Sequence, residues 1–207
     1  MRTNPFGDAI RFLTHGAPPG PTTVYWLLLV ASVLVAAINW RSDSRQRSAV
    51  HVWDWVVRVS MGILWWSQTL WKLPPTFGGL RFWVEQIVKG AAFPAHADFV
   101  RSVVLPHFSF FAIQVYTSEV LIAVSLILGL FTRLGALVGA LAAVNLYLGL
   151  YRIPSEWPWT YGFMILLQIV LFVHRAGRSL GVDAMLVRGV EKRPSHGAWA
   201  RLVTLLT

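Results

Sequence analysis

The chain has 207 residues, of which 56% are hydrophobic and only 13% charged, with a mean hydropathy of +0.57. These values lie outside the range of ordinary soluble domains and imply a single integral membrane domain. The net charge of +9 does not point to nucleic acid, because the basic residues stand in short runs beside apolar segments; the lack of cysteine excludes thiolate zinc sites, iron–sulfur clusters, c-type haem attachment and a dithiol relay.

Residues 1–21 read as a polar tail broken by proline, with room for a short surface helix around Ala9 to Leu13. Residues 22–40 are long and apolar enough to span, with Tyr25, Trp26 and Trp40 placed as interfacial anchors. A cleaved signal peptide carries its positive charge before the apolar core, whereas Arg41, Arg45 and Arg47 follow this one. The first span is therefore expected to begin outside and end in the cytoplasm.

The second span is expected over 53–73, ending at Pro74-Pro75, where a helix cannot comfortably continue. It is the most polar of the five, with Arg58 near its cytoplasmic end, Lys72 expected to reach headgroups at the outer end, and Gly62 as a point of close helix approach. Trp65 and Gln68 lie between Arg58 and Lys72. In the long loop that follows, Leu80, Trp83, Val84, Ile87 and Val88 recur at helical spacing opposite Arg81, Glu85 and Lys89. A second short stripe, Phe99, Val100, Val103 and Val104, has Asp98 as its expected N-cap. Both stripes suit helices lying on the outer surface and capping the bundle.

The third span, 108–131, carries Glu119 roughly 16 Å from either end, where water is scarcest. Two readings follow: a structural ion pair or protonated carboxyl that locks helix packing, or a polar group lining a small-molecule or proton site. The fourth span, 134–152, is rich in small residues and has Asn145 as an interhelical hydrogen-bonding group or a ligand contact. The fifth runs over 158–174 behind a Trp157-Pro158-Trp159 collar, and residues 187–207 form a basic cytoplasmic tail whose Trp199, Leu202, Val203 and Leu206 suit a short surface helix. The fold expected is an all-α, multi-pass integral membrane protein with its N-terminus outside and its C-terminus in the cytoplasm.

Three groups of residues together resemble a known family. Arg58, Gly62 and Lys72 resemble the R-x-x-x-G…K pattern of the first DoxX-family span, and Glu119 followed by Leu128-Gly129-Leu130-Phe131-Thr132-Arg133 resembles that family's E…L-x-G-x-x-T-R signature. Gly177-Arg178-Ser179-Leu180-Gly181-Val182-Asp183 resembles its closing G-R-x-x-G-x-D, and the long loop with the W-x-W collar is similar to DoxD, the membrane subunit associated with thiosulfate:quinone oxidoreductase. The resemblance covers residues 53–186. It implies a four-helix membrane bundle tied to quinone-linked electron transfer in the plasma membrane of a prokaryote, beside a redox protein partner. The additional N-terminal span, 22–40, departs from that pattern.

Two functions are consistent with these residues. In the first, the chain is a quinone-interacting redox subunit with Glu119 as proton donor or relay, Arg58 as its electrostatic partner, and Trp65, Gln68, Lys72, Tyr116 and Asn145 as ligand-binding residues. Electrons would come from the partner, and no metal, haem or cluster is expected in the chain itself. In the second, the chain is a non-catalytic membrane scaffold or assembly factor whose outer helices recruit another protein, with homo-oligomerisation open under both. A transporter ranks behind these, since the sequence has no duplicated half with broken helices.

Overall fold

A computed structural model describes residues 19–192 and 197–207, together with Asn4, Gly7, Ile10 and Arg11; of the tail helix expected around Ala9 to Leu13, Ile10 and Arg11 are helical and the rest lies outside the described residues. Among the described residues all regular structure is helical. The α-helices are α1 (Pro19–Ser42), α2 (Ala49–Thr69), α3 (Gly78–Gly90), α4 (Pro94–Phe99), α5 (Phe108–Leu128), α6 (Thr132–Gly149), α7 (Pro158–His174), α8 (Val182–Lys192) and α9 (Ala198–Leu206). A π-helical turn, Val100–Val104, continues α4, and a 3₁₀ turn, Ala176–Arg178, follows α7.

Helices α2, α5, α6 and α7 pack in sequence and close on each other as a four-membered ring. Small residues allow the close approaches on which the ring depends: a Cβ at Gly62 would stand 2.8 Å from the Ile127 nitrogen, and one at Gly139 would stand 2.3 Å from the Gln168 side-chain nitrogen. The core between them is built around Trp65, Ile122, Leu126, Ile127, Ala136, Ala143 and Leu171. Helices α1, α5 and α6 are long and apolar enough to cross a membrane, and α7 is a shorter apolar helix. Helix α2 is more polar because it carries Asp54 and Arg58, and it turns the Arg58 side chain wholly inward.

Helix α1 leans on this ring from outside, and its docking face is its polar one. Tyr25, Ser32 and Asn39 recur every seven residues and are its buried positions. Ser32 Oγ donates to the Ile127 carbonyl at 2.6 Å and accepts from Trp55 Nε1 at 3.2 Å, and Asn39 Nδ2 donates to the Gly181 carbonyl at 2.9 Å. Tyr25 stacks on Trp66 with ring centroids 6.4 Å apart, so it is a packing residue and not the interfacial anchor expected of it.

The amphipathic stripe in the long loop is α3, whose Leu80, Val84 and Ile87 pack with Phe77, Val100, Ala112 and Leu150 in a second apolar cluster over the far end of the ring. Asp98 does not cap a helix: α4 begins at Pro94, a residue that favours the first turn, and Asp98 pairs with Arg101 at 2.9 Å inside the helical stretch. Helix α2 ends at Thr69, one turn short of the expected boundary, and Leu70 to Leu73 form a turn before the prolines. Helix α8 runs through the boundary expected near residue 186 and, with α9, folds back on the basic end of the bundle.

Candidate functional site

The register between α2 and α5 is set at Gly62, which lies against Ala123 and Ile127. Counting seven residues along α2 and the same distance back along α5 brings Thr69 roughly level with Ser118, so about 15 Å of α5 continues past the end of α2. Nothing in the ring replaces α2 there. The chain instead turns through Trp71 and Lys72 and sends α3 and α4 across the gap, and beneath them lies a cavity of about 1070 Å³. Its walls come from every neighbouring element: Trp65 and Gln68 of α2, Trp83 of α3, Phe111 and Val115 of α5, Leu141 and Asn145 of α6, and Tyr161 of α7.

The polar group of this cavity is an ion pair between Lys72 and Glu119. The Lys72 ammonium bonds to Glu119 Oε1, both residues are 5% exposed, and the ammonium also sits 4.6 Å from the centre of the Trp71 ring. The other carboxylate oxygen, Glu119 Oε2, is buried and has no partner among the described residues; the same holds for the indole nitrogen of Trp65. One acceptor and one donor are thus left uncommitted on residues that line a largely apolar chamber. A buried polar atom without a hydrogen bond costs about 1–3 kcal/mol; Arg58 Nε and Nη2, Trp66 Nε1 and both polar atoms of the Gln168 side chain are left the same way, and what sets Glu119 and Trp65 apart is that their residues line the cavity.

Lys72 therefore does not reach headgroups, and Arg58 does not pair with Glu119. In the Gly62 register Arg58 is roughly level with Gly129, some ten residues or about 15 Å from Glu119, which exceeds the reach of a guanidinium side chain. Arg58 Nη1 instead donates to the carbonyls of Leu126 at 2.5 Å and Ile127 at 3.2 Å, buried acceptors in the last turn of α5, where carbonyls run out of intrahelical partners.

Around Arg58 the chain is packed to contact. Gly129 takes φ 69°, and a Cβ on it would stand 2.6 Å from Arg58 Nη1 and 2.8 Å from the Gly181 Cα. Phe131 precedes α6 without a capping side chain, and Asp183, from beyond α7, supplies the cap: its two oxygens accept from the backbone N–H groups of Phe131 at 2.7 Å and Thr132 at 2.9 Å. Asp183 N–H donates to the Gly129 carbonyl at 2.8 Å. Burial pushes the Asp183 carboxyl above the ordinary carboxylate range, while these backbone bonds and the Arg58 charge hold it down. Beside it, Ser179 Oγ bridges His51 Nδ1 at 2.8 Å and Asp54 Oδ2 at 2.9 Å.

Of the residues singled out in the sequence, Glu119, Lys72, Trp65, Gln68 and Asn145 come together in the cavity wall. Asn145 makes no side-chain hydrogen bond among the described residues, so the interhelical bond expected of it is absent there. Tyr116 lies outside the cavity, edge-on to Phe77 with ring centroids 6.2 Å apart, and Arg58 belongs to the opposite end of the ring. Sequence reasoning missed Glu156, which accepts from Tyr161 Oη at 2.5 Å and also lines the cavity. Its position directly before the tryptophan collar was the available signal.

Among protein families, residues 55–150 match the family model DoxX. The matched stretch begins in α2 and ends just past α6, so it contains Arg58, Gly62, both members of the ion pair and the 128–133 corner, while α7 and the 177–183 motif lie beyond it. No curated protein and no solved structure matches the chain.

Proposed function

Starting from the premise that the chain belongs, through residues 55–150, to the DoxX family of membrane proteins, we propose that it binds a quinone in the cavity between α2, α5 and the α3–α4 cover, as the membrane subunit of a quinone-linked redox system of the DoxD type. The observation that carries this reading is the Lys72–Glu119 pair, with Glu119 Oε2 and Trp65 Nε1 uncommitted, on the wall of a chamber of about 1070 Å³. That volume is slightly above the usual range for small-molecule sites, about 300–1,000 Å³, and leaves room for a ring and part of a tail.

The residues fit the chemistry of such a ligand. A quinone, when bound, supplies two-electron redox chemistry in which its two carbonyl oxygens gain protons. The Trp65 indole N–H and the Lys72 ammonium can donate to a carbonyl oxygen, and Glu119 Oε2 can accept from a hydroxyl or carry a proton to it. Trp83 and Phe111, half-buried on the cavity wall, provide flat apolar surface for a ring. Electrons arrive from a redox protein partner, and the basic end, with Arg41, Arg45, Arg47, Arg175 and Arg178, faces the cytoplasm of a prokaryotic cell by the positive-inside rule.

Purification in mild detergent followed by solvent extraction tests the reading. It predicts close to one quinone per chain, lost in a folded K72M/E119Q protein. A chain that copurifies another protein but carries no quinone would instead support the scaffold.

A further inference from the structure

The basic end of the bundle holds a second feature, independent of the cavity. Arg133 is the second residue of α6, Arg175 follows the last residue of α7, and Arg178 closes the 3₁₀ turn after it. Arg178 N–H bonds to the Arg175 carbonyl at 2.8 Å, so the two arginines stand at the two ends of one tight turn. Arg133 joins them through α9: its Nη1 donates to the Leu205 carbonyl at 3.2 Å, while Arg178 Nη2 donates to Thr207 Oγ1 at 3.1 Å, two residues further on. The guanidiniums of Arg133 and Arg178 thus meet beside the end of one short helix, and the charge of Arg175 lies within range of Arg178. Burial first, and then the charges of Arg175 and Arg133, act against the charge on Arg178, with Asp183 and Glu191 offsetting them in part.

The acids in range do not neutralise them. Asp183 has both oxygens on the backbone of α6, Glu191 is exposed, and no ion pair joins Arg133, Arg175 or Arg178 to a carboxylate among the described residues. Arg175 makes no side-chain hydrogen bond at all among them. Alongside, α9 turns Val203 inward and leaves Trp199, Leu202 and Leu205 exposed, an apolar stripe next to a cluster of cations. A ligand that meets both features carries a phosphate and an apolar body. Guanidinium forks match phosphate oxygens two at a time, and an amphipathic helix with an exposed tryptophan sits at the depth of lipid headgroups.

We propose that Arg133, Arg175 and Arg178 form a binding site for the phosphate of an anionic phospholipid, with the acyl chains lying against the outer stripe of α9. The shared chemistry with a soluble phosphate is the oxyanion; the apolar stripe is what selects the lipid.

The test follows thermal unfolding of the full-length protein in detergent against added short-chain phosphatidylglycerol, short-chain phosphatidylcholine or inorganic phosphate. Phosphatidylglycerol should raise the unfolding midpoint saturably, and the other two should not. Arg175→Gln should unfold like the parent without lipid, since it has no bond to lose, and should need roughly fivefold more phosphatidylglycerol for the same shift. Lys89→Gln, which removes one charge from the opposite end, should leave the titration unchanged. Should Arg175→Gln not fold, Arg175→Lys keeps the charge but loses the fork and should still weaken the response. Equal weakening by Lys89→Gln would reduce the effect to net charge and overturn the site. An equal response to phosphatidylcholine, an equal response to inorganic phosphate, or an unaltered response in both Arg175 variants would overturn it too.

Discussion

The two ends of the four-helix ring each bury charge, and they do so in opposite ways. At the basic end Arg58 and Asp183 are fully buried and bond to backbone: Arg58 Nη1 to the last carbonyls of α5, with its Nε and Nη2 unpartnered among the described residues but packed in with no space beside them, and Asp183 to the first N–H groups of α6. Glycines at 129, 177 and 181 leave no room there, since a Cβ on Gly177 would stand 2.0 Å from Asp183 Oδ2. At the far end Lys72 and Glu119 bind each other, keep one carboxylate oxygen uncommitted, and face about 1070 Å³ of space. Charge tied to helix ends in a space-filling knot fixes a fold, whereas charge held on the wall of a chamber is free to meet a ligand. The family resemblance treats Arg58 and Glu119 alike; the packing separates them.

If that separation is right, the largest effects come from the basic end. Asp183→Ala removes the cap of α6 and leaves Arg58 without its nearest counter-charge, and it should cost about 3–5 kcal/mol, seen as a fall in thermal midpoint or loss of monodisperse protein. Asp183→Asn, which keeps one acceptor oxygen, should cost about half as much. Gly177→Ala should resemble the first, because neither Asp183 nor Thr132 can yield without losing the cap.

At the far end the effects should be smaller and should not add. Glu119→Gln or Lys72→Met alone strands one buried charge and should cost about 2–4 kcal/mol, while the double change should recover at least about 1 kcal/mol of the summed losses. The same cycle on Glu119 and Arg58 should be additive, since about 15 Å of bundle separates them. Gln68→Leu, on the cavity wall, should shift stability by less than about 1 kcal/mol and lower quinone retention, a change visible by extraction but hardly by unfolding. Smallest of all is Tyr116→Phe: outside the cavity, it should stay within about 0.5 kcal/mol of the parent and keep its quinone. Loss of quinone in that variant would show that the binding surface extends beyond the cavity.

How far the sequence carried the argument also differs between the two ends. The all-helical membrane fold, the amphipathic α3 and the need of Glu119 for a partner at depth follow from hydropathy, periodicity and the cost of an acid in the bilayer. The partner of Glu119 did not, because pairing depends on how far α2 slides along α5, and that register is fixed by one contact, Gly62 against Ala123 and Ile127. Lys72 was assigned to the headgroups on the assumption that α2 ran the full thickness, whereas it ends at Thr69 and the chain turns inward. The docking face of α1 was hidden for a different reason: with apolar neighbours on every side, its buried stripe is Tyr25, Ser32 and Asn39, which no search for an apolar face would select. Asp183 reads locally as an acid in the first turn of α8, and nothing short of the fold brings it to Thr132.

The claim that the far-end chamber is a ligand site is tested most directly by titrating a short-tailed quinone into detergent-solubilised protein and following its thermal midpoint in the parent and in K72M/E119Q. The account predicts a saturable rise in the parent and none in the double variant, with both proteins folded at the outset. An equal rise in the two, or no rise in the parent after extraction of any copurified quinone, would contradict it.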